Sequence, residues 1–192
     1  VPGTMCCDAA ATDLVKEIGY FQKVLVDAPC SGEGMLRKQS APPGSVGNQR
    51  LYQRFRRQQL GLLRRAYALC RPGGRIVYST CTFAPEENEL VLDRLLCETD
   101  GALRLLDLDC PGFRTRPGIT SWQGQRLDSS LSRAHRVWPE LNDSGGFFVA
   151  VLEKSADASA PEGTGKALEP QPAPEMASAL WERYAMDPAL GA

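Results

Sequence analysis

Two of the seven cysteines in this sequence occur in settings that suit thiol chemistry. Cys30 follows Asp27-Ala28-Pro29 directly after an apolar run, and Cys81 follows Ser79-Thr80 at the end of another extended segment. A deprotonated cysteine is a strong nucleophile, and a neighbouring group can activate it. The alternative is that both are packed core thiols, because free cysteine is among the most buried residue types. Position and spacing alone support the two interpretations about equally.

A strand, a helix and a second strand would position these cysteines. Phe21–Asp27 has the apolar run of a strand buried in a parallel sheet, and the proline at position 29 must end it, because proline cannot donate to a central ladder. Gln49–Cys70 has apolar residues at helical spacing, and Arg75–Ser79 is extended again after a Gly-Gly pair. A right-handed parallel crossover places the ends of both strands side by side. We therefore predict that Cys81 lies near Cys30, at the sheet edge where α/β proteins build sites.

The rest of the sequence completes an α/β domain and then changes in composition. Pro85 with Glu86, Glu87 and Glu89 suits the first turn of a helix, where acidic side chains meet the positive end of the helix dipole. We place the domain at residues 1–154, a flexible linker at 155–174 and the start of a further helix or domain at 175–192. Other predicted elements are a strand at Val1–Cys7, a short helix or turn at Thr12–Tyr20, strands at Leu103–Leu108 and Gly146–Leu152, and an irregular segment over 110–145.

Composition and charge exclude several classes of protein. The 192 residues, 43% of them hydrophobic and 23% charged, are enough for one domain with its own core. The net charge of -1 means that any contact with nucleic acid must come from a local basic patch, such as the arginines of residues 50–65. No signal peptide and no apolar run of about 18 residues is present, so we expect a cytoplasmic protein without a membrane span.

The other five cysteines lack a pattern with chemical meaning. The sequence has none of the paired Cys-X-X-Cys spacing of zinc sites, and an odd number of cysteines does not favour a disulfide framework. We expect no metal and reduced thiols throughout. The cysteines expected simply to pack in the interior are Cys6, Cys7, Cys70, Cys97 and Cys110.

Three segments resemble the motifs of a known enzyme family. VLVDAPCSGEGMLRK (24–38), RPGGRIVYSTCTFAPEENE (71–89) and GGFFVAVLEK (145–154) are similar to those of the Sun/RsmF family of S-adenosylmethionine-dependent RNA cytosine-5 methyltransferases. The similarity covers about residues 1–154 and concerns the C-terminal part of the catalytic domain. The DAPCSGEG and YSTCT segments at this separation form a far more specific pair than a lone glycine motif.

The resemblance implies roles for four residues. Cytosine C5 is a poor nucleophile, so these enzymes add a thiolate to C6, and by motif match that thiolate is Cys81. Cys30 matches the cysteine that assists release of the product. Asp27 matches the acidic residue that faces the target base and the cofactor, where it would bind the N3 and N4 edge. Asp8 matches an aspartate on the adenine side of the cofactor, although a solvated turn is the alternative for a lone loop aspartate.

The resemblance also implies an RNA partner. Arg37 and Lys38 follow the first motif and would bind phosphate. For the arginines of the next helix, a solvated helical face is at least as well supported. Trp138 is expected to be a packed aromatic, with base stacking as the minor alternative, and His135 has no predicted catalytic role. Ribosomal RNA is the expected substrate by analogy, with transfer RNA the alternative, and the complete protein is expected to be a monomer.

The sequence departs from the family in lacking the glycine-rich cofactor loop and the acidic ribose ligand. The expected fold is therefore an incomplete Rossmann-like class I methyltransferase sheet, without strands 1 and 2, in which strand 4 becomes an exposed apolar edge. We expect these 192 residues alone to bind S-adenosylmethionine weakly or not at all. Two alternatives remain open: a DNA cytosine-5 methyltransferase, which the TC cysteine and the absence of a Glu-Asn-Val motif disfavour, and a non-catalytic RNA-binding fragment.

Overall fold

A computed structural model of the protein describes residues 21–35 and 47–158. Several expectations lie outside the described residues: the elements at Val1–Cys7 and Thr12–Tyr20, the site residues Asp8, Arg37 and Lys38, the cysteines Cys6 and Cys7, and the segments from residue 159 onward. In the part that is described, no helix is both long and apolar enough to cross a membrane.

The described residues form eight strands and three α-helices. The strands are β1 (Phe21–Asp27), β2 (Cys70–Thr80), β3 (Leu103–Leu106), β4 (Thr115–Pro117), β5 (Ser121–Trp122), β6 (Gln125–Arg126), β7 (His135–Val137) and β8 (Phe147–Lys154). The α-helices are α1 (Gln49–Leu69), α2 (Glu89–Thr99) and α3 (Pro139–Asn142), and short 3-10 segments cover Glu33–Met35 and Ser129–Arg133.

The predicted crossover is confirmed. β1 and β2 are parallel neighbours, with Val24 opposite Ile76 and Asp27 opposite Ser79, and α1 connects them. β8 lies antiparallel on the other side of β2, and both β3 and β7 pair with β8. The order β1, β2, β8, β3 is the block expected of the C-terminal half of a class I methyltransferase sheet. β1 and β2 end where β8 begins, at the same end of the strands. The loops that carry the two motif cysteines therefore meet there.

The helices cover the apolar face of this sheet. The Asn48 side chain accepts the backbone N–H of Leu51 at 3.1 Å and caps the N-terminus of α1. At the other end, the buried Lys154 ammonium donates to the carbonyls of Tyr67 and Cys70, both at 3.0 Å, and so satisfies the last turn of the helix. Fully buried side chains between helices and sheet include Leu63, Ile76, Tyr78, Val91, Leu92, Leu105, Phe148, Ala150 and Leu152.

Three sequence-based expectations were wrong in detail. Residues 110–145 are not irregular, because they contain four short strands that register with one another or with β8. The strand expected to run to Leu108 ends at Leu106, and the second helix begins at Glu89 rather than at Pro85. Strands of two to four residues leave no apolar alternation long enough to recognise.

Two further expectations concern the apolar edge strand and the packing of Cys70, Cys97 and Cys110. Within the described residues β1 pairs only with β2, and Leu25 on β1 is 69% exposed, as predicted for an apolar edge strand. Cys70 is buried as expected, but Cys97 is exposed and Cys110 only half-buried. Cys97 lies in the last turns of α2, on the face turned away from the core that Leu92 and Leu95 occupy.

Candidate active site

The two motif cysteines are in direct contact. Cys30 Sγ and Cys81 Sγ lie 3.2 Å apart, and the backbone N–H of Cys81 donates to Cys30 Sγ at 3.3 Å. The parallel pairing of β1 and β2 continues one residue beyond the strands, because the Ala28 N–H donates to the carbonyl of Ser79 at 2.9 Å. Both side chains are half-buried, so the pair is held by the fold and still open to a reactant.

The contact separates the acidities of two identical groups. The hydrogen bond with Cys30 lowers the pKa of Cys81 to about 7, against partial burial and the charges of Asp27 and Glu87, which raise it. The same hydrogen bond, together with burial and the charge on Cys81, raises the pKa of Cys30 far above that of an ordinary thiol. Near neutral pH the pair therefore contains one thiolate, Cys81, and one thiol, Cys30.

Asp27 stands beside the thiol pair at the end of β1. Its carboxylate accepts a hydrogen bond from the Ser79 hydroxyl at 3.0 Å, across the parallel ladder, and the side chain is otherwise exposed. All three residues expected to be catalytic, Asp27, Cys30 and Cys81, thus lie at one edge of the sheet.

Two glycines allow the loops of this edge to touch. The Gly34 N–H donates to the carbonyl of Cys81 at 2.8 Å, and the Gly146 N–H donates to the carbonyl of Gly34 at 2.8 Å. A Cβ on Gly34 would lie 2.3 Å from the Gly146 carbonyl oxygen, and one on Gly146 would lie 2.0 Å from the Phe83 ring. The glycines of the SGEG and GGFF segments are therefore required for close backbone approach beneath Cys81.

A hydroxyl chain extends from the Cys30 loop to a carboxylate. Ser31 Oγ and Thr82 Oγ1 are 2.8 Å apart, the Thr82 hydroxyl donates to Glu33 at 3.3 Å, and the Tyr52 hydroxyl donates to the same carboxylate. Thr82 follows Cys81 and Ser31 follows Cys30, so this chain of hydroxyl groups joins the two cysteine loops.

The sequence did not reveal the role of the acidic residues after Cys81. Glu86, Glu87 and Glu89 were predicted to complement a helix dipole, but all three are buried and bind specific donors. Trp122 Nε1 donates to Glu86 at 3.2 Å, Ser31 N–H and Gln59 Nε2 donate to Glu87, and the Arg136 guanidinium pairs with Glu89. In the sequence these residues match the pattern of an exposed first turn of a helix. Only the unbroken polar run at residues 86–89, shortly after the nucleophile motif, could have indicated that they are buried.

The remaining candidates have structural partners. Trp138 stacks on Phe83, with ring centroids 4.6 Å apart and planes within 8°, which supports the packed-aromatic interpretation. The Nδ1 atom of His135 lies 2.7 Å from the Thr115 hydroxyl. Arg64 forms a salt bridge with Glu98 at 2.7 Å on an exposed helix surface, as expected of a solvated face. Among the residues that the structure describes, no group of three or more His, Cys, Asp or Glu side chains could hold a metal ion.

The sheet order and the paired thiols at its edge define a Rossmann-like methyltransferase domain. The model of the 16S rRNA methyltransferase RsmB/F family matches residues 3–153, and the chain belongs to this family.

Curated relatives methylate different RNAs. The chain is 36% identical to tRNA (cytosine(34)-C(5))-methyltransferase of Drosophila melanogaster over 75% of its own length, and 37% identical to ribosomal RNA small subunit methyltransferase F of Erwinia tasmaniensis over 71%. The aligned part covers only 24% and 26% of those two proteins, so the chain spans about a quarter of their length.

Solved structures agree with the fold. A methyltransferase homologue from Pyrococcus horikoshii has a TM-score of 0.59 at 31% identity, with 71% of this chain and 40% of that chain covered. NSun6 from the same organism, solved with SFG, has a TM-score of 0.53 at 27% identity, with 72% and 31% covered.

Proposed function

We propose that the full-length protein is an S-adenosylmethionine-dependent methyltransferase that modifies C5 of cytosine in RNA through a covalent adduct with Cys81. The observation that carries the proposal is the 3.2 Å contact between Cys30 Sγ and Cys81 Sγ, which makes Cys81 the thiolate near neutral pH. Membership of a family of RNA methyltransferases supplies the reaction class.

In the first step the Cys81 thiolate attacks C6 of the target cytosine and forms an S–C6 bond. The electron pair of the C5–C6 double bond shifts toward C5 and into the ring, where a proton at N3 would neutralise the charge. Asp27 is the residue proposed to face the N3 and N4 edge of the base, and the Ser79 hydroxyl, which donates to one of its carboxylate oxygens, supports this role by fixing that oxygen. S-adenosylmethionine, when bound, would supply the methyl group that C5 takes up, and would be left as S-adenosylhomocysteine.

Release requires a base, and the adduct itself would create one. Once Cys81 Sγ is bonded to C6, the thiolate that holds the Cys30 proton and raises the pKa of Cys30 is gone. The backbone N–H groups of Cys81 and Gly32, which lower that pKa, remain. Cys30 can then lose its proton to solvent and, as a thiolate, take the proton from C5, so that the S–C6 bond breaks and the C5–C6 double bond re-forms.

The sites for the cofactor and for the RNA are proposed in less detail than the thiol pair. A related structure holds SFG, an analogue of S-adenosylmethionine, which favours that cofactor for this chain. Asp27 remains the proposed contact at the cofactor, with Asp8 on its adenine side, and Arg37 and Lys38 the proposed phosphate contacts. Ribosomal RNA is the proposed substrate because the family model is that of a 16S rRNA methyltransferase, and transfer RNA is the alternative that the relatives make testable.

The test uses the full-length protein with RNA that carries 5-fluorocytosine, whose C5 substituent cannot leave as a proton. We expect wild-type protein and cofactor to form an adduct that survives denaturation, which Cys81→Ala loses. Cys30→Ala should form the adduct more slowly at pH 7 and retain it, and Cys97→Ala, an exposed cysteine on α2, is the matched control. An adduct in Cys81→Ala, or RNA binding without any adduct in the wild type, would contradict the proposal.

A further inference from the structure

A buried turn lies beneath both cysteine loops. It covers residues 85–88, between Cys81 and α2, and is closed by the Glu87 N–H to the Ala84 carbonyl at 3.1 Å and the Asn88 N–H to the Pro85 carbonyl at 3.2 Å. Glu87 and Asn88 have no exposed surface. The Tyr78 hydroxyl donates to the Glu87 carbonyl at 2.6 Å and fixes the turn to β2.

The Asn88 carboxamide binds both neighbours of Cys81. The Thr80 hydroxyl donates to Asn88 Oδ1 at 2.6 Å, and Asn88 Nδ2 donates to the Thr82 carbonyl at 3.0 Å. One planar group thereby sets the position of the residue before and the residue after the nucleophile.

The Glu87 carboxylate does the same for Cys30, with the help of Gln59. Glu87 Oε2 accepts the Ser31 N–H at 3.0 Å and Gln59 Nε2 at 3.0 Å, and Gln59 Nε2 also donates to the Pro29 carbonyl at 2.9 Å. The residues on both sides of Cys30 are therefore held from the same turn that holds the neighbours of Cys81.

This support is costly to the fold. No cation pairs with Glu87, burial raises its pKa, and Glu87 Oε1 and Gln59 Oε1 are buried without a hydrogen-bond partner in the described part of the chain. Buried polar groups left unsatisfied are rare in folded proteins, and each one destabilises the fold. The neighbouring Glu89, in contrast, is neutralised by Arg136, as is usual for a buried charge that only stabilises a fold.

We propose that Glu87 and Asn88 are positioning residues that hold the two thiols in contact, with Asn88 placing Cys81 for attack and Glu87 placing Cys30 for release. The contact sets the pKa of Cys81, so a change in either residue alters thiol chemistry as well as stability. The assignment of attack and release rests on the proposed function, whereas the effect on the thiols does not.

The first test follows the thiols without RNA. Alkylation of the peptide that contains Cys81 is measured by mass spectrometry across pH in full-length wild type, Asn88→Ala, Glu87→Ala and Glu87→Gln. We expect the midpoint to rise by about one unit in Asn88→Ala, which is about fivefold less thiolate at pH 7, and by less in Glu87→Ala, because loss of the Glu87 charge acts in the opposite direction. Glu87→Gln keeps an acceptor for Ser31 and Gln59 but loses the charge that raises the pKa of Cys81, so its midpoint should lie at or slightly below that of wild type. Glu86→Gln, which removes a neighbouring buried charge and keeps an acceptor for Trp122, is the matched control.

The second test separates attack from release in the same proteins. Asn88→Ala should form the adduct with 5-fluorocytosine RNA on the order of tenfold more slowly, and Glu87→Ala should accumulate adduct on ordinary RNA because release is slowed. If Glu87→Ala does not fold, Gln59→Ala takes its place, because it frees the Pro29 side of the Cys30 loop and removes one donor to Glu87 while the Ser31 contact stays. Lower melting temperatures with an unchanged Cys81 midpoint would overturn the proposal. A wild type that forms no adduct, with the midpoints shifted as expected, would overturn only the methyltransferase function.

Discussion

The loop after β1 and the loop after β2 have the same contents and opposite properties. Each begins at the carboxyl end of a parallel strand, carries one cysteine and one hydroxyl residue directly after it, and is hydrogen-bonded to the buried turn at residues 85–88. Yet the pKa of Cys81 is lowered to about 7 and that of Cys30 is raised. The largest cause of both shifts is the hydrogen bond between the two sulfurs, so the difference depends on the contact between the loops more than on the composition of either.

Removal of the nucleophile should have the largest effect. Cys81→Ala in the full-length protein is expected to lower methylation of RNA by a thousandfold or more, on the order seen when a covalent nucleophile is deleted, because no other described thiol touches the site. Incorporation of a labelled methyl group measures it. Activity within about tenfold of wild type would mean that the two loops do not differ in the way described.

The close approach of the loops should be the next most sensitive feature. Gly34→Ala places a Cβ 2.3 Å from the Gly146 carbonyl and 2.9 Å from that of Cys81, both of them backbone atoms that cannot swing away. We expect a loss of about 1 to 3 kcal/mol in the free energy of unfolding, measured by denaturant titration. Gly61→Ala, where a Cβ meets nothing within 4 Å, is the matched control and should be neutral or stabilising.

The link between Asp27 and β2 should matter least. Ser79→Ala removes the hydroxyl that fixes Asp27 Oδ1 and leaves the thiols untouched, so kcat/KM of the full-length protein should fall by a factor of about 3 to 10, which is the worth of one ordinary hydrogen bond to an exposed group. The midpoint of Cys81 alkylation should not rise. If kcat/KM fell further in Ser79→Ala than in Gly34→Ala, the Asp27 carboxylate and not the sulfur pair would be the centre of the site.

The sequence predicted the frame of this site well. The apolar run of β1, its stop at Pro29 and the helical period of α1 led to a parallel crossover, and that topology alone brings Cys30 and Cys81 together. The motif resemblance then implied different roles for the two thiols, which stay predictions. These features depend on local pattern and on the small number of ways in which a strand, helix and strand can connect.

The supporting shell could not be predicted, because it is made by contacts between distant residues. Gln59 lies on the helix expected to be amphipathic, yet it is fully buried and reaches the Pro29 carbonyl. Glu87 and Asn88 appear in sequence as an exposed helix start. A polar residue in a periodic pattern does not disclose whether its partner is water or another loop, and the same ambiguity hid the short strands between residues 110 and 145.

The pH dependence of the two thiols tests the account most directly. In the full-length protein, alkylation of Cys81 should rise with a midpoint near pH 7, because a lowered pKa gives thiolate above that pH, while Cys30 remains unreactive until far more alkaline conditions. In Cys30→Ala the donated hydrogen bond is lost and burial remains, so the Cys81 midpoint should move up to that of an ordinary thiol or higher. An unchanged midpoint in Cys30→Ala, or a wild type in which Cys30 reacts first, would contradict the account.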